Sequence, residues 1–226
     1  MTSHSGKWER ILTRFLFFTL VASIIYTLAR ISAAVPEEKS HYTLMLVQCL
    51  LGLVVMLLPG WISKRWAIQI PSTMMIFYLI LLYGAIFLGE VRNYYYRVPA
   101  WDVILHGFSG FMLGCLSFSL ITLLNKSERV PVNLSPAFVA VFALCFSLAL
   151  GVAWEVYEYT FDGLLGLNMQ KFITADGRVL QGHAALGDTM KDLIVDALGA
   201  GAASAVGYVS LKWQKGWIEK WLIRKK

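Results

Sequence analysis

Long apolar runs alternate with short polar segments along the chain, at 11–35, 42–62, 70–91, 103–124, 136–161 and 189–211. Each is near the length of about 20 residues that lets a helix cross the hydrocarbon of a bilayer. The pattern predicts an all-α fold: a polytopic membrane helical bundle of six transmembrane helices forming one domain over 1–226. The first run follows Lys7, Arg10 and Arg14 and also fits a signal peptide, with Ser32 and Ala34 at a cleavage spacing. Its length, and the even number of spans that the charge balance requires, favour a retained anchor.

Composition supports this class. The 226 residues are 58% hydrophobic and 15% charged, with a mean hydropathy of +0.62, too apolar for an ordinary soluble domain. A formal charge of +6 could point to nucleic acid, but the placement of the basic residues gives a better account. With six spans, thirteen lysines and arginines fall on the side of the termini and seven on the other. The positive-inside rule then puts both termini in the cytoplasm of a bacterial plasma (inner) membrane. The tail 212–226 is strongly basic, with Trp213, Trp217 and Trp221 four apart. It reads as a topology anchor with belt tryptophans, or as an interfacial amphipathic helix on anionic lipid. Cys49, Cys115 and Cys145 lie inside apolar runs, which argues against a disulfide framework.

The one long connection, 162–188, is external in this topology. Within it KFIT and VLQG flank ADGR, a turn signal for a small hairpin. Leu164, Leu165, Leu167 and Phe172 could rest this loop on the membrane as a lid.

The topology gathers the unusual acids on the external side. Glu90 ends the third span, Asp102 and His106 open the fourth, Glu155, Glu158 and Asp162 end the fifth, and Asp188, Asp192 and Asp196 open the sixth. Spacings of three and four put Asp102 with His106, Glu155 with Glu158, and Asp192 with Asp196 on shared helix faces. Carboxylates are expensive in lipid and should face the bundle interior, a partner or water. Acids and a histidine converging from several helices are how carboxylate metal sites are built in bundles. The expected metal ligands are Glu155, Asp192, Asp196, Asp102, Glu90 and Asp188, with His106 or Glu158 as the proton acceptor. An oxygen-rich set favours magnesium, manganese or calcium over zinc or iron.

Plainer readings compete. Thr189 and Asp192 fit a capping box, and Asp188 would suit a positive helix end. Asp102, after Pro99, fits a cap in the same way, while Glu158 and Asp162 can lie in water. Glu90 can pair with Arg92 or Arg97, and His183 reads as a solvated loop histidine. Asp196 lies seven residues past Thr189, roughly 10 Å along a helix, beyond the reach of capping. Gly110 and Gly114 on the fourth span, and Gly199, Ala203 and Gly207 on the sixth, are small-residue ridges that allow close helix contact. Their continuation from the polar faces predicts that these two spans meet, bringing His106 toward Asp192 or Asp196.

Three motifs, WDxxxHGxSG at 101–110, WExxE at 154–158 and GDTxxDLxxDxxGA at 187–200, resemble the YjdF-like bacterial inner-membrane proteins, small six-span proteins without an established activity. The resemblance covers the last three spans and implies that Asp102, His106, Glu155, Glu158, Asp188, Asp192 and Asp196 are motif positions. A looser similarity to the VanZ-like family rests on acids and a histidine opening short membrane helices.

Three function classes fit these residues. The first is a divalent-cation-dependent enzyme acting on a lipid or lipid-linked substrate at the outer face, with the long loop over the site. The second is a cation or proton-coupled transporter, and the third a non-catalytic structural or accessory membrane protein. The chain has no GxSxG or HExxH motif, so metal-bound water is the candidate nucleophile for an enzyme. Gln48, Ser117, Ser119 and Thr122 are the main polar residues expected in the cytoplasmic halves, a scarcity that counts against transport. Membrane lipids are the expected partners, with no role for nucleic acid.

Overall fold

The computed structural model describes residues 3–125 and 134–225. Among the described residues, six helices are long and apolar enough to span a membrane. In chain order these are α1 (Ser3–Ala33), α2 (Pro36–Arg65), α3 (Ser72–Leu82, continued by a wider π-helical stretch, Tyr83–Val91), α5 (Trp101–Asn125), α6 (Pro136–Leu165) and α7 (His183–Lys212). A single turn, α4 (Tyr94–Arg97), lies between α3 and α5. Lys126, Arg129 and Lys226, three of the thirteen basic residues counted above, lie outside the described residues.

Two three-helix groups make up the bundle. α1, α2 and α3 enclose Leu16, Leu20, Met45, Cys49 and Leu79. α5, α6 and α7 pack more tightly, because small residues let the backbones approach. A Cβ added at Gly110 would sit 2.5 Å from the Asp196 carbonyl oxygen, and one at Gly114 would sit 2.6 Å from the Ala203 Cβ. A Cβ at Gly207 would overlap the Phe118 ring. The two predicted ridges therefore do meet, and they set the spacing of α5 against α7.

The basic tail is not a surface helix. After α7 the chain turns back, buries Ile218, Trp221 and Ile223, and ends as β2 (Arg224–Lys225) antiparallel to β1 (Ile68–Gln69). Ser119 Oγ donates to the Trp221 carbonyl at 2.7 Å and accepts from the Ile223 amide at 3.3 Å. Of the three tryptophans, Trp221 packs against the bundle with Ile218 and Ile223, while Trp213 and Trp217 are exposed, as belt residues are.

The long connection is a folded strap. Ile173 pairs with Val179 across the predicted turn, and Leu167 and Met169 pack on Leu44 of α2. Asp162, expected in water, is buried. Its carboxylate caps the strap, accepting from the Met169 amide at 2.7 Å and the Gln170 amide at 3.0 Å. Leu167 lies inside the fold, while Leu164 and Leu165 are exposed.

Candidate metal centre

α7 starts at His183 behind Gly182, six residues before Thr189. The capping-box reading of Thr189 and Asp192 therefore fails, and Asp188 sits in the second turn, past the first-turn amides that a cap would satisfy. Asp192 and Asp196 are both buried on the face of α7 turned to α5 and α6. Asp102 does lie in the first turn of α5, as its capping reading requires.

His106 is the hub. Its Nδ1 lies 3.3 Å from Asp196 Oδ2, while its Nε2 faces Asp102 Oδ1 at 3.8 Å and Glu155 Oε1 at 4.0 Å. Asp102, His106 and Asp192 each offer a ligand atom, all within 4.8 Å of one another. Asp196 thus stands behind the imidazole, opposite the edge that the other acids face. Ser109 Oγ, whose shorter bond is to the His106 carbonyl at 2.9 Å, lies 3.3 Å from Asp196 Oδ1, and Gly151 of α6 leaves the room that a Cβ would take, 2.5 Å from Oδ2. Glu155 is 95% buried, and among the described residues its Oε1 has no hydrogen-bond partner.

The remaining predicted residues lie around this hub. Glu90 and Glu158 line a small enclosed cavity of about 80 Å³ together with Asp102, Tyr95 and Gln48. Glu90 is paired, accepting from Lys171 Nζ at 2.7 Å, and Lys171 takes the place expected of Arg92 or Arg97. Asp188 is partly exposed on α7, one turn above Asp192, and His183 is exposed at the helix start.

Several contributors were missed from sequence. Lys171 reads locally as an ordinary loop charge. Burial pushes its ammonium pKa down, but the Glu90 carboxylate outweighs that and holds it above its ordinary value. Burial likewise raises the phenol of Tyr95, reinforced by Glu90. Gln48 was assigned to the cytoplasmic half, yet it lines the acidic cavity. Ser109 was legible, three residues past His106 inside the WDxxxHGxSG motif. Gln170 Nε2 donates to Thr189 Oγ1 at 2.9 Å, which ties the strap to α7 beside Glu155.

A family model described as "Predicted membrane protein (DUF2238)" matches residues 14–213. An uncharacterized protein of Thermotoga maritima is similar, at 30% identity over 134 residues, which is 57% of this chain and 60% of that protein. The chain thus spans less than two thirds of the length of the relative it matches. No solved structure matches it.

Proposed function

We propose, for a chain that belongs to the DUF2238 family of predicted membrane proteins, that one end of α5, α6 and α7 forms a divalent-cation site serving chemistry at the membrane face. The observation that carries this reading is the two-sided environment of His106: Asp196 at Nδ1, and Asp102 and Glu155 facing Nε2. With a cation bound, a neutral His106 ring donating Nδ1–H to Asp196 would turn its Nε2 lone pair to the ion, the arrangement that ligating histidines use. Ligand atoms within 4.8 Å of one another are all reached by one ion with bonds of about 2.0–2.6 Å. Asp102, His106 and Asp192 would hold it, and the unpartnered Glu155 Oε1 would complete the set. Magnesium, manganese or calcium suits so many oxygens better than zinc or iron.

Such an ion acts as a Lewis acid when bound. Asp196 orients the histidine, and Glu158, in the enclosed cavity beside Asp102, is the proton acceptor. The excess of basic residues at the opposite end supports a bacterial inner-membrane location with both termini cytoplasmic and this site on the outer face. The likeness of the motif positions to the YjdF-like proteins fits that location. Placement beside lipid-facing helix surfaces supports a lipid or lipid-linked substrate.

Two observations weigh against the other classes. A purely structural acid cluster has no use for a buried carboxylate oxygen without a partner. Toward the other membrane face, the hydroxyls of Ser117, Ser119 and Thr122 are spent on the carbonyls of Leu113, Trp221 and Phe118, which leaves them poorly placed for an ion path. The test is manganese binding to purified protein in detergent. One Mn²⁺ per chain is expected for wild type and none for Asp192→Ala. A folded wild type that takes up no Mn²⁺, Mg²⁺ or Ca²⁺ would overturn the proposal.

A further inference from the structure

Beside the candidate centre, α6, α7 and the strap line a groove of about 710 Å³. Its walls include Val152, Val156, Leu186 and Leu193, and its polar positions include Glu155 and Thr189. Val152 lies ten residues before Asp162, so the groove runs roughly 15 Å down α6 from the level of the strap. Val152, Val156 and Leu186 are well exposed, and they sit on helices that qualify as membrane spans. In a bilayer, what lies against such a surface is acyl chain rather than water.

Among the described residues, Glu155 both lines the groove and faces His106. Glu155 stands about one turn above Val152 on α6, so an occupant of the deep half of the groove lies beside the proposed cation. From this geometry we infer that the groove seats a phospholipid, with an acyl chain between α6 and α7 and its phosphate oxygens completing the shell of the bound cation. This rests on the metal reading above. The choice of phosphate follows from the donor set: a hard cation held by few carboxylates characteristically takes its remaining ligands from water and substrate phosphate. The cluster of acids would repel a phosphate unless the cation lay between them, so the lipid's phosphate and the metal should bind together. Gln170, bonded to Thr189, lines the strap end of the groove and offers an amide there to a headgroup.

The test uses full-length protein in maltoside micelles, loaded with Mn²⁺, and follows phosphorus NMR of added short-chain phosphatidylglycerol. Paramagnetic broadening of the lipid phosphorus that saturates with lipid is expected in wild type. It should be lost in Val152→Trp and in Leu193→Trp, whose bulk fills the groove, with Mn²⁺ uptake measured in parallel. Uptake of Mn²⁺ with no lipid broadening, or with broadening that survives both tryptophans, overturns this inference and leaves the metal reading standing. Equal broadening of inorganic phosphate, undiminished by the tryptophans, also overturns it, because the ligand is then free phosphate. Absence of Mn²⁺ uptake removes the metal reading and the phosphate contact with it. Native mass spectrometry of metal-free protein then decides the chain-binding half by itself: a phospholipid retained by wild type and lost in Val152→Trp supports the groove, and equal retention overturns it.

Discussion

Lys171 reaches 81 residues back along the chain to donate to Glu90 at 2.7 Å, and it does so from a backbone with φ of +51°. The left-handed region costs a residue with a side chain about 1–2 kcal/mol, so the strap around Lys171 must be over-determined by its other contacts. Asp162 supplies two of these through the Met169 and Gln170 amides. Both members of the pair are largely buried, with side-chain exposures of 12% and 9%. Lys171→Met leaves a carboxylate without its partner and should lower stability by about 3–5 kcal/mol. Lys171→Met combined with Glu90→Gln should restore most of that. A double-mutant cycle by chemical unfolding in mild detergent checks both values.

The same pair sets an alkaline limit. The folded Lys171 pKa is raised, so its stabilisation is whole below the unfolded value of about 10.4 and is lost as pH rises through the folded value. Tyr95 and Tyr96, also raised mainly by burial, act in the same direction. Unfolding midpoints should therefore fall above about pH 10, and the Lys171→Met/Glu90→Gln protein should show a shallower but still present decline. A decline of unchanged steepness would show that Lys171 does not contribute.

Asp196 and Asp192 should differ in kind. Asp192 is a proposed ligand, whereas Asp196 meets the His106 ring at Nδ1, on its far side. Asp196→Asn should weaken Mn²⁺ binding by roughly 10–100-fold and leave a measurable site, while Asp192→Asn should abolish it. Isothermal titration on the two variants separates a ligand from a positioning residue.

Glycine substitutions on α5 and α7 should sort by what a Cβ would meet. Gly110→Ala drives a methyl against the Asp196 backbone and should cost about 1–3 kcal/mol. Gly201→Ala meets nothing within 4 Å and should be neutral or stabilising by up to about 1 kcal/mol through helix propensity. Thermal unfolding of the two variants side by side checks the contrast.

Ser119 holds the tail through two backbone groups, the Trp221 carbonyl and the Ile223 amide. Ser119→Ala leaves both without that partner and should cost roughly 1–3 kcal/mol. The local signature is faster hydrogen exchange at 218–225 and faster tryptic cleavage after Lys220 and Arg224, with the site end of the bundle unchanged.

Much of the fold was legible in the chain because lipid imposes a simple rule. A segment that crosses the hydrocarbon must satisfy its backbone internally and present apolar side chains, and six runs of suitable length announce six helices. The same solvent penalty made the acids conspicuous, and helical spacing put His106 and Asp196 on faces that their glycine ridges then joined. The start of α7 was harder to see. Its first turns, HAALGD, are too short-chained and polar to resemble the span that follows, so helix-start chemistry was assigned to Thr189 and Asp192 instead. The tail divides in a way that spacing does not reveal: Trp221 packs into the bundle, whereas Trp213 and Trp217 are exposed.

The sequence by itself determined the membrane class, the number of spans and the end of the bundle at which the acids collect, because hydropathy and helical period are properties of contiguous residues. Only the tertiary structure decided where each acid stands. Asp196 stands behind His106 and Asp102 in front of it because α5 and α7 touch at Gly110. Glu90 is taken by Lys171 because a strap capped by Asp162 carries that lysine across the bundle. These assignments depend on contacts between residues some 80 to 90 positions apart, and distance along the chain carries no record of which ring edge a carboxylate will face.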